Sequence, residues 1–220
     1  MHTSTFSDWI PTRNELVQFA WTLGLKEIAI TDHSQACLDI QREKKWLYMW
    51  TNARRSLKRR ENVFNDVQVI AWVEGDILNE QWDCCFSIQG IEYDFIVLSA
   101  HKDVYASDPD TVTAGTIKAI ERYHDRIVCI GHPCNNADFG THYDIEKLVE
   151  VANAYNVPLE FNAKNLMRWK THLQKLHYLL QNADRIYLNS DAHTLYELKV
   201  ARSLAKEFLL EHGYIASLTS

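Results

Sequence analysis

"GLKEIAITDHS", residues 24–34, decides the reading of the fold. Its middle, 27–31, is short, apolar and β-branched, as a buried strand is, and it runs straight into Asp32 and His33. A helical spacing precedes it at 12–23. The same sentence is written again along the chain. Strands are expected at 67–73, 93–100, 126–131, 158–162 and 185–190, and helices at 40–60, 109–124, 144–155, 167–182 and 195–211. Asp108 and Asp144 have the chemistry of helix N-caps, and Gly213 that of a helix stop. Strand and helix alternate, which favours a parallel α/β sheet or barrel. Residues 77–94 break the pattern and suggest an added hairpin.

Each strand closes on a residue that binds metal or moves protons. "WVEGD" brings Glu74, "LSAH" His101, "CIGHP" His132, and "LNSDAH" Asp191 and His193. In a parallel arrangement the C-terminal strand ends share one rim, so these residues converge although they are far apart in sequence. One histidine at a strand end is ordinarily a hydrogen-bonded structural residue. Four histidines with several acids on one rim form a polar cluster that is costly unless hydrogen bonds or metal satisfy it. Imidazole nitrogen with carboxylate oxygen suits Zn²⁺, Mn²⁺ or Fe²⁺. Of the remaining histidines, His142 follows the His132 strand in a loop placed to visit such a rim. Trp9, Trp72, Trp82 and Trp169 are candidates for stacking on a substrate ring or for packing.

Composition narrows the function classes. The 220 residues are 46% hydrophobic and 11% aromatic, enough for one sizeable core, and a single domain over 1–220 is expected. The net charge of −6 and the absence of an aromatic-basic stripe disfavour long nucleic acids. The basic run "RRSLKRR" at 54–60 reads as a solvated helix face. Five cysteines without paired C-x-x-C spacing do not build a secreted disulfide framework, which points to a cytoplasmic protein. No apolar stretch is long enough to span a bilayer, so no membrane partner is expected.

Taken in order, these motifs resemble the polymerase and histidinol phosphatase (PHP) superfamily over essentially the whole chain. "GLKEIAITDHS", "WVEGDIL", "DFIVLSAH", "IGHP", "PLEFN" and "NSDAH" match its signatures in sequence order, and "MHT" with "SD" matches the tail of its opening His-x-His motif. The resemblance implies a distorted (β/α)7 barrel with two or three divalent metal ions (Zn, Mn or Fe) at its rim. Here His2 stands as the second histidine of that motif, and the first strand, with the first histidine, is absent from the sequence as it stands. One ion would then rest on His2, Glu74 and Asp191, a second on Glu74, His101 and His132, and a third on Asp8, His33 and His193. Asp32 would act beside the ligands. Asp191 or His193 would protonate the leaving group, and Lys102, His142, Lys164 and Arg168 are the side chains placed to meet a phosphate.

The activity implied is metal-dependent hydrolysis of a small phosphomonoester, resembling histidinol phosphate or a nucleotide. The alternatives are a nucleotide or oligonucleotide phosphodiesterase or nuclease, and a silent remnant that binds without turnover. Amide hydrolysis on a related barrel would call for a lysine fit for a carbamylated bridge, and Glu74 occupies that place. An open sheet edge would also favour a homodimer that covers it.

Overall fold

The computed structural model describes residue 1, residues 12–45 and residues 65–214. His2, Asp8, Trp9 and the basic run 54–60 lie outside the described residues, as does the helix expected at 40–60 from residue 46 onward. The order of elements is α1 (Arg13–Thr22), β1 (Glu27–His33), α2 (Gln35–Lys45), β2 (Gln68–Ile77), β3 (Cys84–Cys85), β4 (Ser87–Ile88), β5 (Ile91–Glu92), β6 (Ile96–Ser99), α3 (Val112–Tyr123), β7 (Ile127–Ile130), α4 (Ile145–Ala154), β8 (Leu159–Asn162), α5 (Ala163–Met167), α6 (Leu173–Asn182), β9 (Ile186–Asn189) and α7 (Leu195–Glu211).

Six strands lie in the order β1-β2-β6-β7-β8-β9, every pair parallel, as a half-barrel with helices packed against it. The expected excursion at 77–94 is present: β3 returns antiparallel onto the end of β2, and β4 and β5 form a separate two-stranded hairpin. The strands are apolar because helices cover them. Val73, Ile96, Leu98, Ile130, Leu159, Phe161 and Ile186 are wholly buried and join residues of α3, α4, α6 and α7 in one core. A smaller cluster of Val17, Ala20, Ile28, Ile30, Val67 and Val69 fastens α1 under β1 and β2.

Helix boundaries follow local chemistry. Thr12 and Glu15 form a reciprocal capping box at α1. The Asp144 side chain accepts from the Lys147 N–H at the start of α4, as its position implies. Asp108 caps a single 3₁₀ turn, Pro109–Thr111, that leads into α3. At the end of α7, Gly213 takes φ 76°, and the N–H groups of Gly213 and Tyr214 return to the carbonyls of Leu210 and Leu209. Two helix expectations are corrected. The second helix begins at Gln35 rather than 40, directly behind Ser34. The helix expected at 167–182 starts only at Leu173, behind the short α5 that ends at Met167, because Trp169 turns left-handed (φ 58°) and the His172 side chain starts a new N-terminus by accepting from Lys175.

Candidate metal centre

Strand register builds the centre. In adjacent parallel strands, residues paired in register face the same side, and β1 pairs His33 directly with Glu74 of β2. β6 and β7 then deliver His101 and His132 just beyond their last paired residues. Glu74, only 5% exposed, lies at the middle of the cluster. Its Oε2 is 3.1 Å from His33 Nδ1, and its Oε1 is 3.0 Å from His132 Nε2 and 3.5 Å from His101 Nε2. The Ser99 hydroxyl donates to the same Oε1 at 2.8 Å. The three imidazoles pack closely, with the His101 ring centroid 5.1 Å from that of His33 and 5.0 Å from that of His132.

A second layer of polar groups fixes these side chains. His101 Nδ1 is 2.6 Å from Asp76 Oδ1, and the Ser34 hydroxyl donates to the other oxygen of Asp76. With Nδ1 so occupied, Nε2 is the nitrogen that faces Glu74. The His132 N–H donates to Glu160 Oε2 at 2.6 Å, and Glu160 also accepts from the side-chain amides of Asn162 and Asn189. His132 and Asp191 both have positive φ, 33° and 40°. Such backbone costs on the order of 1–3 kcal/mol per residue and tends to collect where geometry serves a site.

The opposite wall comes from β8 and β9. Lys164 Nζ is 2.6 Å from Asp191 Oδ2 and 2.8 Å from His193 Nδ1, and Asn162 donates to the same Asp191 oxygen at 2.9 Å. The His193 N–H donates to Glu197, which also pairs with Arg168. A cavity of about 260 Å³ lies between the walls, lined by His33, Cys37, Glu74, His101, His132, Lys164, Asp191 and His193 among others.

Electrostatics follow from burial and pairing. Burial opposes charge on Glu74, yet His33 and then His101 outweigh it and hold the carboxyl well below its usual range. Burial likewise opposes an imidazolium at His101, but Asp76 and then Glu74 raise its pKa to about 10. His33 is held well above its ordinary value against burial by Cys37 and Glu74, and His132 is raised, also against burial, by Glu74. Glu160 is pushed up, chiefly by burial. Without an ion, the carboxylate and the imidazoles thus each favour the charged form of the other.

These residues fit divalent metal. Ligand atoms of Glu74, His101 and His132 all lie within 4.8 Å of one another, and those of His33, Cys37 and His101 do the same. The donors mix nitrogen, oxygen and sulfur, and the oriented second layer is what a metal site requires.

The sequence-derived candidates fall into three groups. His33, Glu74, His101, His132, Lys164, Asp191 and His193 meet around one cavity. Other candidates stand apart from it. Asp32 is buried on β1 beside His33 and does not line the cavity. Lys102 is exposed. Arg168 is drawn to Glu197. His142 sits in an exposed pair with Asp110, 2.9 Å away, instead of entering the site. Trp82 packs under Arg122 and Trp169 is 93% exposed, so neither offers a ring to the cavity, and Trp72 lines a separate hollow of about 690 Å³. His2 and Asp8, outside the described residues, form the third group. Sequence reasoning missed Asp76, Glu160, Asn162, Asn189 and Cys37. The signal for the first two was available: Asp76 lies two residues beyond Glu74, and Asn162 two beyond Glu160, the spacing that returns a strand side chain to the same face.

No family model matches the chain. It is similar to a probable phosphatase of Shewanella loihica, 26% identical over 204 residues that cover 90% of this chain and 77% of the relative. A probable phosphatase of Aliivibrio fischeri is 29% identical over 168 residues, 75% of this chain and 62% of the relative. Among solved structures, histidinol phosphate phosphatase from Lactococcus lactis, complexed with zinc, L-histidinol and phosphate, superposes with a TM-score of 0.55 at 14% identity. That match covers 97% of this chain and 92% of the other, and it shows that the two share a fold.

Proposed function

We propose that the chain is a metal-dependent phosphoric ester hydrolase whose substrate is a small phosphomonoester of the histidinol-phosphate or nucleotide class. The observation that carries this reading is Glu74, a buried carboxylate with imidazoles on both oxygens, at the floor of a cavity whose other wall bears a lysine. The names of its relatives, probable phosphatases, support the same reaction class, and the zinc, L-histidinol and phosphate held by the L. lactis enzyme support small substrates and divalent metal.

Divalent ions at such a centre lower the pKa of bound water toward about 7 and neutralise phosphate oxygens. Glu74, His101 and His132 would hold one ion, with His33 reaching Glu74's second oxygen. In the proposal His193 and Asp191 also contribute to binding metal, and His2 and Asp8 to the remaining positions. The chain's own part is then positional. Asp76 and Glu160 fix the ligand side chains, the Lys164 ammonium meets the phosphate oxygens, and whichever of Asp191 and His193 does not hold metal gives a proton to the leaving oxygen. A cavity of about 260 Å³ admits a phosphoryl group with a small leaving group and suits a nucleic-acid strand poorly.

The test is a screen of the full chain, purified without chelator and supplied with Zn²⁺ or Mn²⁺. Histidinol phosphate, nucleoside monophosphates and p-nitrophenyl phosphate are set against bis-p-nitrophenyl phosphate. The proposal expects monoester turnover that Glu74→Gln abolishes. Turnover confined to the diester would replace it with a phosphodiesterase, and no turnover with metal bound would leave a binding protein.

A further inference from the structure

Cys37 is set apart by its place at the cavity, since Cys129 is also buried outside the apolar clusters but does not line it. Cys37 lies in the first turn of α2, is 6% exposed, and lines the metal cavity, whereas Cys134 is packed into the main apolar core. A buried cysteine ordinarily behaves as a small hydrophobic residue within an apolar cluster. Cys37 belongs to none of the apolar clusters among the described residues. Its neighbours are imidazoles: ligand atoms of His33, Cys37 and His101 lie within 4.8 Å of one another. Donors about 2.0–2.3 Å from a tetrahedral ion stand roughly 3.3–3.8 Å apart, so small side-chain rotations close this set around an ion. Negative charge on sulfur is also favoured in the first turn of a helix.

We propose that Cys37 is a metal ligand, and that a thiophilic divalent cation such as zinc is bound by His33, Cys37 and His101. The inference rests on the metal-centre reading above and adds to it a sulfur donor. His101 belongs both to this set and to the Glu74–His101–His132 set, and with Nδ1 held by Asp76 it has one nitrogen to give. The two sets are therefore adjacent seats that share a ligand. A soft ion takes the seat with sulfur, and a hard ion such as manganese takes the seat with the carboxylate. The chain would thus select zinc over manganese by a residue that also lies next to the β1 signature in sequence.

The experiment is spectroscopic and independent of turnover. Ion-free full-length protein is titrated with Co²⁺, zinc's coloured substitute, in the wild type and in the Cys37→Ser and Cys134→Ser variants. We expect visible cobalt bands together with a near-ultraviolet thiolate-to-cobalt charge-transfer band. That band vanishes in Cys37→Ser and persists in Cys134→Ser, while the visible bands survive in both. Competition titration should show zinc affinity falling by roughly 10–100-fold or more in Cys37→Ser, at least the loss seen when an outer partner of a ligand is removed, with manganese affinity little changed. Visible bands without the charge-transfer band, or a band that Cys37→Ser leaves intact, overturn the Cys37 assignment and leave the metal centre standing. No cobalt absorption at all overturns the metal centre and this inference with it.

Discussion

Glu74 is the residue on which the centre turns, because three imidazoles and one hydroxyl meet its carboxylate. Removing one imidazole leaves enough partners for the carboxylate, so His132→Ala should fold, with an unchanged circular dichroism spectrum. On the proposed assignment it also strips a metal ligand, and phosphatase activity should fall by at least about 100-fold. Full activity in that variant would refute the ligand assignment. The raised imidazole pKa values make a second prediction at this scale. His33, His101 and His132 are all held above the ordinary imidazole value, and His101, raised to about 10, carries near pH 7 a proton that competes with a metal. Ion binding should release protons and tighten as pH rises. Calorimetric heats that do not depend on the buffer's ionisation enthalpy would contradict it. For the ion-free fold the sign is reversed: stabilisation by His101 is complete below about pH 6.5 and is lost as pH rises toward about 10.

At the scale of elements, all six parallel strands and the strand ends that carry His33, Glu74, His101, His132 and Asp191 were legible in the sequence, because period and chemistry coincide there. The two-residue spacing hinted at Asp76 and Glu160, but their roles depended on where an element stops and on what meets it. β2 runs on to Ile77, past Glu74, and so places Asp76 on the sheet where it can hold His101. Glu160 is hidden inside β8, where a charged residue is costly unless partners from other strands meet it, and those partners, His132 and Asn189, are 28 and 29 residues away. The early start of α2 has a local signal, Ser34, although its hydroxyl is given to Asp76. Two element-level predictions follow from this packing. Asp144→Ala removes the α4 cap far from the cavity and should cost about 1 kcal/mol in denaturant unfolding with activity intact. Gly131→Ala would set a Cβ 2.2 Å from the Ser99 hydroxyl. Ser99 must then turn away from Glu74, so this single methyl at the end of β7 should lower both stability and metal content. A variant with wild-type metal content would show that the Ser99 contact is dispensable.

At the scale of the molecule, a parallel half-barrel accounts for how residues 33 to 193 reach one rim, since every strand along the path points its C-terminal end the same way. The broad class was readable from the alternation of strand and helix. The assembly of the rim was readable only in part, because loop residues such as His142 and Lys102 follow the right strands yet turn outward. No helix among the described residues is long and apolar enough to cross a membrane. The central claim is that this rim hydrolyses phosphate esters through the divalent ions it binds. Its most direct test is to strip the full-length protein of metal and titrate Zn²⁺ or Mn²⁺ back while following phosphate release from p-nitrophenyl phosphate. The account predicts no turnover in the stripped chain and a rise to a plateau at two or three ions per chain. Turnover without ions, or none once they are bound, would contradict it.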